Sequence, residues 1–233
     1  MSDLFQIYNS QAERYHKFIC HEDVDNNLLH AILNITPLMG KRLLDLGTGT
    51  GRIPLLIKDQ TSQIIGLDLY WDMLHVHSEN KSVKGENWEL LQGDYRFLPF
   101  QGRYFDIVTA GWSISALIGQ KNKDWKSEIG LVIQEIHRTI TYGGVAIIIE
   151  TMTTASDTPH PPTKELAQYY TWLEKEWGFR SQVIQTDYLF DNLEQAVSTI
   201  RFFFGAETAS KVREKQWVRV PEWTGIWSKI FPM

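Results

Sequence analysis

The 233-residue sequence predicts an α/β fold, a doubly wound sandwich with helices on both faces of a mainly parallel sheet. Two observations carry this. The short runs Arg42–Leu46, Gln63–Asp68, Trp88–Gln92, Phe105–Ala110 and Val145–Glu150 are apolar at successive positions, as strands buried on both faces are. Between them lie helix-like segments at Gly51–Asp59, Trp71–Glu79 and Lys126–Thr141, and repeated strand-then-helix order demands crossover connections.

The remaining elements follow from local chemistry. Leu28, Leu29, Ile32, Leu33 and Ile35 form a stripe at helical spacing in the N-terminal region. Gly143-Gly144 is the expected stop of the helix before it. The last third departs from simple alternation. It reads as a helix at Thr163–Trp177 closed by Gly178, a strand at Gln182–Phe190, helices at Asn192–Phe204 and Thr208–Lys215, and a last strand at Trp223–Ile230 set off by Pro221. Pro159, Pro161 and Pro162 lack an N–H and restrict their predecessors, so residues 157–162 form a loop at the carboxyl edge of the sheet. With no repeat and no Gly/Ser linker, residues 1–233 read as one domain.

Composition narrows the function. Hydrophobic residues at 43% and charged residues at 22% exclude a disordered chain. A net charge of −5 without a Lys/Arg block argues against nucleic acid as the main partner. The lone Cys20 permits no intramolecular disulfide, and Met1-Ser2-Asp3-Leu4 does not open a secretory signal, so a cytoplasmic protein is expected. Apolar stretches such as Val145–Ile149 fall far short of the roughly twenty residues of a membrane helix. Trp112, the Trp172–Trp177 helix and the Trp223–Trp227 strand read first as core; the alternative is that they converge on an aromatic acceptor pocket.

The chemistry is concentrated in Leu43-Leu44-Asp45-Leu46-Gly47-Thr48-Gly49-Thr50-Gly51-Arg52. A buried strand enters a glycine-rich turn and a helix, where backbone N–H groups and a helix N-terminus face a crevice. A dinucleotide fingerprint needs glycine at positions 47, 49 and 52, and position 52 is Arg. No Gly-Lys-Ser/Thr closes the turn as a Walker loop would. Asp45 also sets a carboxylate where a pyrophosphate would be repelled. Asp68 ends the second strand about twenty residues on, where an acid accepts hydrogen bonds from ribose hydroxyls. Asp94 in Gly93-Asp94-Tyr95 follows the third strand. These features fit a ligand cationic at one end and carrying a ribose at the other.

Over residues 41–150 the sequence resembles the class I S-adenosylmethionine-dependent methyltransferases. Asp45 to Gly51 is similar to that family's first motif, Asp68 to its ribose-binding acid and Gly93-Asp94 to its adenine-side motif. Phe105 to Ala110 resembles its fourth strand, and Glu135 to Val145 the helix and turn before the fifth. The resemblance implies a Rossmann-like, mainly parallel seven-stranded sheet with an antiparallel last strand, N-terminal helices and a helical insert before that strand. It implies a lid over residues 1–40, a cofactor-binding core over 41–150 and substrate-side elements over 151–233.

For the site, the resemblance implies S-adenosylmethionine as cofactor, with Gly47, Thr48, Gly49 and Gly51 beneath its methionine portion and Asp45 facing its amino group. Asp68 binds the ribose, Leu69 and Met73 flank the adenine, and Gly93, Asp94 and Tyr95 read its edge. Ala110 and Gly111 meet the methionine end, and Tyr8 and Tyr15 form the lid. The sequence departs from the family in Tyr142, where the turn usually carries proline. It has neither Asn/Asp-Pro-Pro-Tyr nor a catalytic cysteine after the fourth strand, which argues against adenine-N6 and cytosine-C5 methylation.

The expected function is methylation of a small molecule at oxygen or nitrogen, by a monomer or homodimer. The alternatives are a protein or tRNA methyltransferase using a basic face of Lys121, Lys123, Lys126 and Arg213, or a non-catalytic cofactor binder. Candidate bases are His160, Tyr15 and His16, with the Trp112 loop also at this edge. His137 reads as structural, and His75 and His77 cannot face the same way on one helix. His16, Cys20 and His21 lack a fourth ligand, so no metal is expected.

Overall fold

The computed structural model describes residues 4–86, 88–119 and 124–232. Three helices come first, α1 (Leu4–Ser10), α2 (Ala12–Ile19) and α3 (Asn27–Ile35). The core follows as β1 (Arg42–Leu46), α4 (Arg52–Ile57), β2 (Gln63–Asp68), α5 (Trp71–Val83), β3 (Glu89–Gln92), β4 (Phe105–Gly111), α6 (Ala116–Gly119), α7 (Trp125–Thr139) and β5 (Ile140–Thr154). The last third contains α8 (Lys164–Lys175), β6 (Arg180–Gln185), β7 (Tyr188–Leu189), α9 (Leu193–Glu214), β8 (Arg219–Val220) and β9 (Glu222–Ile230).

Seven strands form one sheet in the order β3-β2-β1-β4-β5-β9-β6. The first five run parallel, and β9 is antiparallel to both β5 and β6, as the sequence predicts. The chain steps outward from β1 to β3 and returns to β4 on the other side of β1. The carboxyl ends of β1 and β4 therefore flank a topological switch point, where ligands of open α/β sheets bind. Strand alternation sends Leu44, Leu46, Val108 and Ile148 into one core layer with α7 and α8, and Leu43, Ile107, Ile147 and Ile149 into the other with α3 and α4.

The structure corrects several expectations. β3 and β6 are the sheet's edges and are largely exposed, so apolarity on both faces holds only for the central strands. The helix expected over Lys126–Thr141 ends at Thr139, and β5 starts at Ile140. Gly143-Gly144 does not end the helix, because the far end of the chain pairs with it: Gly143 N–H donates to Phe231 O at 2.7 Å and Phe231 N–H to Gly144 O at 2.9 Å. The strand expected at Gln182–Phe190 is two, β7 pairing with β8 in a separate ribbon. The two helices expected from Asn192 to Lys215 are one run, broken at Gly205 with φ 89° and ψ −179°. The tryptophans do not converge on a pocket. Trp112 packs in the layer of α3 and α4, whereas Trp172, Trp177 and Trp227 pack in the opposite one.

Candidate active site

The glycine turn is pressed between two neighbours that exclude any larger residue. Gly47 has φ +64°, and a Cβ there would lie 2.4 Å from Ser113 Cβ in the loop after β4. Gly51 has φ +97°, and its Cβ would lie 2.6 Å from the His77 ring on α5. Thr48 is buried between them, its N–H donating to Leu67 O at 3.0 Å. Gly49 N–H donates to Asp68 Oδ2 at 2.7 Å and Tyr70 N–H to Asp68 Oδ1 at 2.9 Å, so the end of β2 is tied to the turn. Burial raises the Asp68 carboxyl despite these bonds.

Asp45 is 1% exposed, and its Oδ1 accepts a hydrogen bond from Thr109 Oγ1 at 2.6 Å. Burial pushes its carboxyl up to about 7, partly offset by the Thr109 and Thr48 hydroxyls, and no basic side chain among the described residues opposes the shift. Such a carboxylate is built to meet a cationic group that arrives with a ligand.

The other predicted positions lie around the same edge. Ala110 is buried, and Gly111 packs so that a Cβ would meet Ile53 at 3.3 Å. Met73 is buried with Ala12 and Val76 beneath Tyr8, Tyr15 and Tyr70, while Leu69 is exposed. Gly93 N–H donates to Asp68 O at 2.9 Å. The Asp94 carboxylate is held by the Arg96 guanidinium, which lowers its pKa, and Arg96 also pairs with Glu128. Tyr95 is half-buried, its hydroxyl 3.4 Å from Ser113 O.

The N-terminal helices cover this edge. Tyr8 and Tyr15 meet edge to face at 5.6 Å, and Tyr8 also contacts Tyr70 at 6.0 Å. Burial raises the Tyr15 phenol to about 12. Phe18 stacks on Phe203 of α9 at 4.7 Å, joining α2 to the insert. His16 docks α2 on the turn: Nδ1 lies 3.0 Å from Thr50 Oγ1, and Asn80 Nδ2 donates to the same atom at 3.2 Å. That bond leaves the proton on Nε2, facing Cys20 Sγ at 3.5 Å, and burial lowers the His16 pKa. His16 therefore ties α2 to the turn and is poorly placed to serve as base.

The other candidates lie elsewhere. His160 is exposed, and its ring and backbone bond within its own segment, to Thr158 O at 3.2 Å and Thr153 Oγ1 at 3.0 Å. His21 Nδ1 bonds Leu189 O at 3.0 Å, turned from His16 and Cys20. Among the described residues no group of three His, Cys, Asp or Glu could hold a metal ion. Lys121 and Lys123 lie outside the described residues. Arg213 is forked onto Glu194 at 2.7 and 2.8 Å, and Lys126 sits 5.6 Å from the Trp125 ring. No helix among the described residues is long and apolar enough to cross a membrane.

Two groups escaped the sequence reading. Glu150 is fully buried one residue beyond Ile149, the register partner of Gly111. Its oxygens accept from Ser115 N at 2.9 Å and Ser115 Oγ at 2.7 Å, and burial raises its carboxyl to about 7. Its charge acts on Tyr8 and Tyr95, which also feel Asp68. A carboxylate ending an otherwise apolar strand was the available signal. The second is His77, fully buried, whose Nε2 accepts from Trp88 Nε1 at 2.9 Å; burial drives its pKa down to about 3.

Residues 44–148 match the family model for a methyltransferase domain. Demethylmenaquinone methyltransferase of Staphylococcus epidermidis is 27% identical over 64% of this chain and 58% of its own length. Malonyl-[acyl-carrier protein] O-methyltransferase of Legionella pneumophila is 26% identical over 61% of this chain and 48% of its own. The chain thus spans about half the length of these curated relatives. A solved phosphoethanolamine N-methyltransferase 2 of Haemonchus contortus, 16% identical, superposes with a TM-score of 0.64 over 99% of this chain and 59% of its own. The match to the family model begins one residue before Asp45 and runs to the body of β5, so it takes in β1 to β4, the turn, Asp45, Asp68 and Asp94, and stops short of Glu150. By that match and that fold, this chain carries a methyltransferase domain over residues 44–148, similar to the class I S-adenosylmethionine-dependent methyltransferases.

Proposed function

We propose that the chain transfers the methyl group of S-adenosylmethionine to oxygen or nitrogen of a small-molecule acceptor, with Glu150 receiving the acceptor's proton. The observation that carries the reading is Asp45, a buried carboxylate on β1 raised to about 7 with no described cation beside it. It suits the cofactor's ammonium, and the adjoining turn suits the methionine portion. Asp68 would take the ribose, Met73 and Leu69 the adenine, and Asp94 with Tyr95 N–H its edge. Ala110 and Gly111 would border the methionine end, and Tyr8 and Tyr15 would close over it.

The bound cofactor supplies a methyl group on a sulfonium, whose departure as a neutral thioether needs no acid. The protein's tasks are then to align the acceptor, exclude water and take one proton. Tyr8, Tyr15 and Phe18 exclude water. Glu150 is oriented through both oxygens by Ser115, and a carboxyl near 7 is matched to proton removal at neutral pH. A small acceptor is favoured by the relative named for demethylmenaquinone and by the ion pairing of Arg213, which weakens a basic docking face.

Calorimetry with S-adenosylhomocysteine tests the reading first: binding by the parent, lost in Asp68→Ala, is expected. A labelled-methyl screen of small oxygen and nitrogen compounds then identifies the acceptor. The rate should rise with pH through about 7 in the parent and lose that step in Glu150→Gln, whose S-adenosylhomocysteine affinity should stay within about twofold. No cofactor binding by the folded parent would overturn the function, and an unaltered pH step in Glu150→Gln would overturn the role of Glu150.

A further inference from the structure

A second buried polar cluster adjoins the methionine end of the crevice and has no part in the roles above. Glu22, from the α2–α3 connection, has a side chain 3% exposed, and its Oε2 accepts from Arg52 Nη1 at 2.8 Å. Arg52 follows Gly51 directly and lies flat over Trp112, its Cζ 3.7 Å from the ring centroid. Glu222, at the start of β9 and 1% exposed, accepts from Thr151 Oγ1 at 3.1 Å through Oε1.

Three atoms of this cluster are buried without a hydrogen-bond partner: Glu22 Oε1, Glu222 Oε2 and Arg52 Nη2. The Tyr188 hydroxyl bonds to the Glu22 carboxylate and the Thr154 hydroxyl to the Glu222 carboxylate, while Glu22 Oε1 and Glu222 Oε2 keep no partner of good hydrogen-bond geometry. Each orphaned atom costs on the order of 1–3 kcal/mol, more when charged, so three in one ion-paired cluster call for an explanation. Two carboxyl groups stand against one guanidinium, so one of them lacks a cationic partner. Burial and the nearby Glu22 carboxylate push the Glu222 carboxyl well up. Arg219 cannot neutralise it, being held by Asp187 and Asp25.

The position is informative. Arg52 ends the glycine turn and Trp112 follows Gly111, so both flank the place proposed for the methionine portion. The charges of Arg52, Glu22 and Asp68 all act on the buried Tyr15 phenol, so the cluster and Asp68 share its surroundings. Resting on the function proposed above, we infer that Glu22, Arg52 and Glu222 form the acceptor-recognition subsite, and that it takes a small molecule presenting an amine beside an oxygen acceptor. The amine donates to Glu22 Oε1 and Glu222 Oε2, and the oxygen accepts from Arg52 Nη2. A neutral phenol or alcohol would leave one carboxylate oxygen unmet.

The test uses the full chain saturated with S-adenosylhomocysteine and a panel of small amino acids and amino alcohols, with size-matched phenols and alcohols as controls. Amines bearing an oxygen acceptor should raise the melting temperature, and their dissociation constants should rise roughly 10- to 100-fold in Glu222→Gln and Glu22→Gln. Arg52→Lys keeps the charge but loses Nη2, and should discriminate against the same compounds if a Gln variant folds poorly. S-adenosylhomocysteine affinity should be unchanged in all three. The inference is overturned if the variants bind the amines as the parent does, if only phenols or alcohols bind, or if the cofactor-saturated parent takes no amine; the orphaned atoms then hold enclosed water. Failure of the parent to bind S-adenosylhomocysteine would instead strike the function on which the inference rests.

Discussion

Replacing Asp45 with Asn should stabilise the empty protein while weakening its cofactor binding. The Asp45 carboxyl is raised from its ordinary 3.8 to about 7, a shift of about three units. At 1.36 kcal/mol per unit, the ionised folded form is disfavoured by about 4 kcal/mol; allowing half of this for relaxation leaves about 2 kcal/mol. Because the folded value lies above the unfolded one, this group's contribution to stability is complete below pH 3.8 and is lost as pH rises through about 7. Asn carries no charge and keeps an oxygen for the Thr109 hydroxyl. Without ligand, Asp45→Asn should melt about 4–8 °C above the parent at pH 8, with most of that gain gone at pH 5. Saturating S-adenosylhomocysteine should shrink or reverse the gain, since the variant should bind it roughly 10- to 100-fold more weakly. Calorimetric scans at both pH values, with and without ligand, provide the measurement. A variant less stable than the parent by equal amounts at pH 5 and pH 8 would refute the argument, since Asp45 would then be an ordinary hydrogen-bonded core group.

Two further substitutions test the frame of the turn. Gly51→Ala forces a side chain into φ +97° and against the His77 ring, and should cost about 3 kcal/mol in urea unfolding; a loss under 1 kcal/mol would show that α5 can move away. His77→Leu leaves the Trp88 indole N–H without its acceptor and should cost about 1–3 kcal/mol at pH 7.5. Its folded pKa, about 3, lies below the unfolded 6.5, so what His77 contributes is complete above pH 6.5 and lost as pH falls below it. The gap between variant and parent should therefore narrow at pH 5, as denaturant midpoints would report.

Sequence periodicity was enough for the central parallel strands because strands buried on both faces are written locally, and the glycine turn was legible for the same reason. Asp45, Asp68 and Asp94 could be placed because each ends or adjoins a strand. What stayed hidden depends on partners far along the chain. The roles proposed for Glu150 and Glu222 rest on Ser115 for the one and on Thr151 and the approach of Glu22 for the other, pairings that no spacing rule encodes. The same cause moved the start of β5, since Gly143-Gly144 reads as a helix stop until Phe231 pairs with it. His77 looked like one of two incompatible histidines, and only the close approach of Gly51 gives it a purpose.

The charges of the crevice bear on what it can bind. Asp45, Asp68 and Glu150 are all buried and all raised by that burial, and Asp45 is raised further by Asp68. Like charges several ångströms apart repel by about 3 kcal/mol at an effective dielectric of about 20. A pyrophosphate would add to that repulsion, and the turn offers it no lysine. A sulfonium with an ammonium reverses the sign of each term, so the arrangement that strains the empty protein favours the cationic ligand. Stability lost in the free chain should then return on binding, and cofactor saturation should raise the melting temperature more at pH 8, where these acids are ionised, than at pH 5.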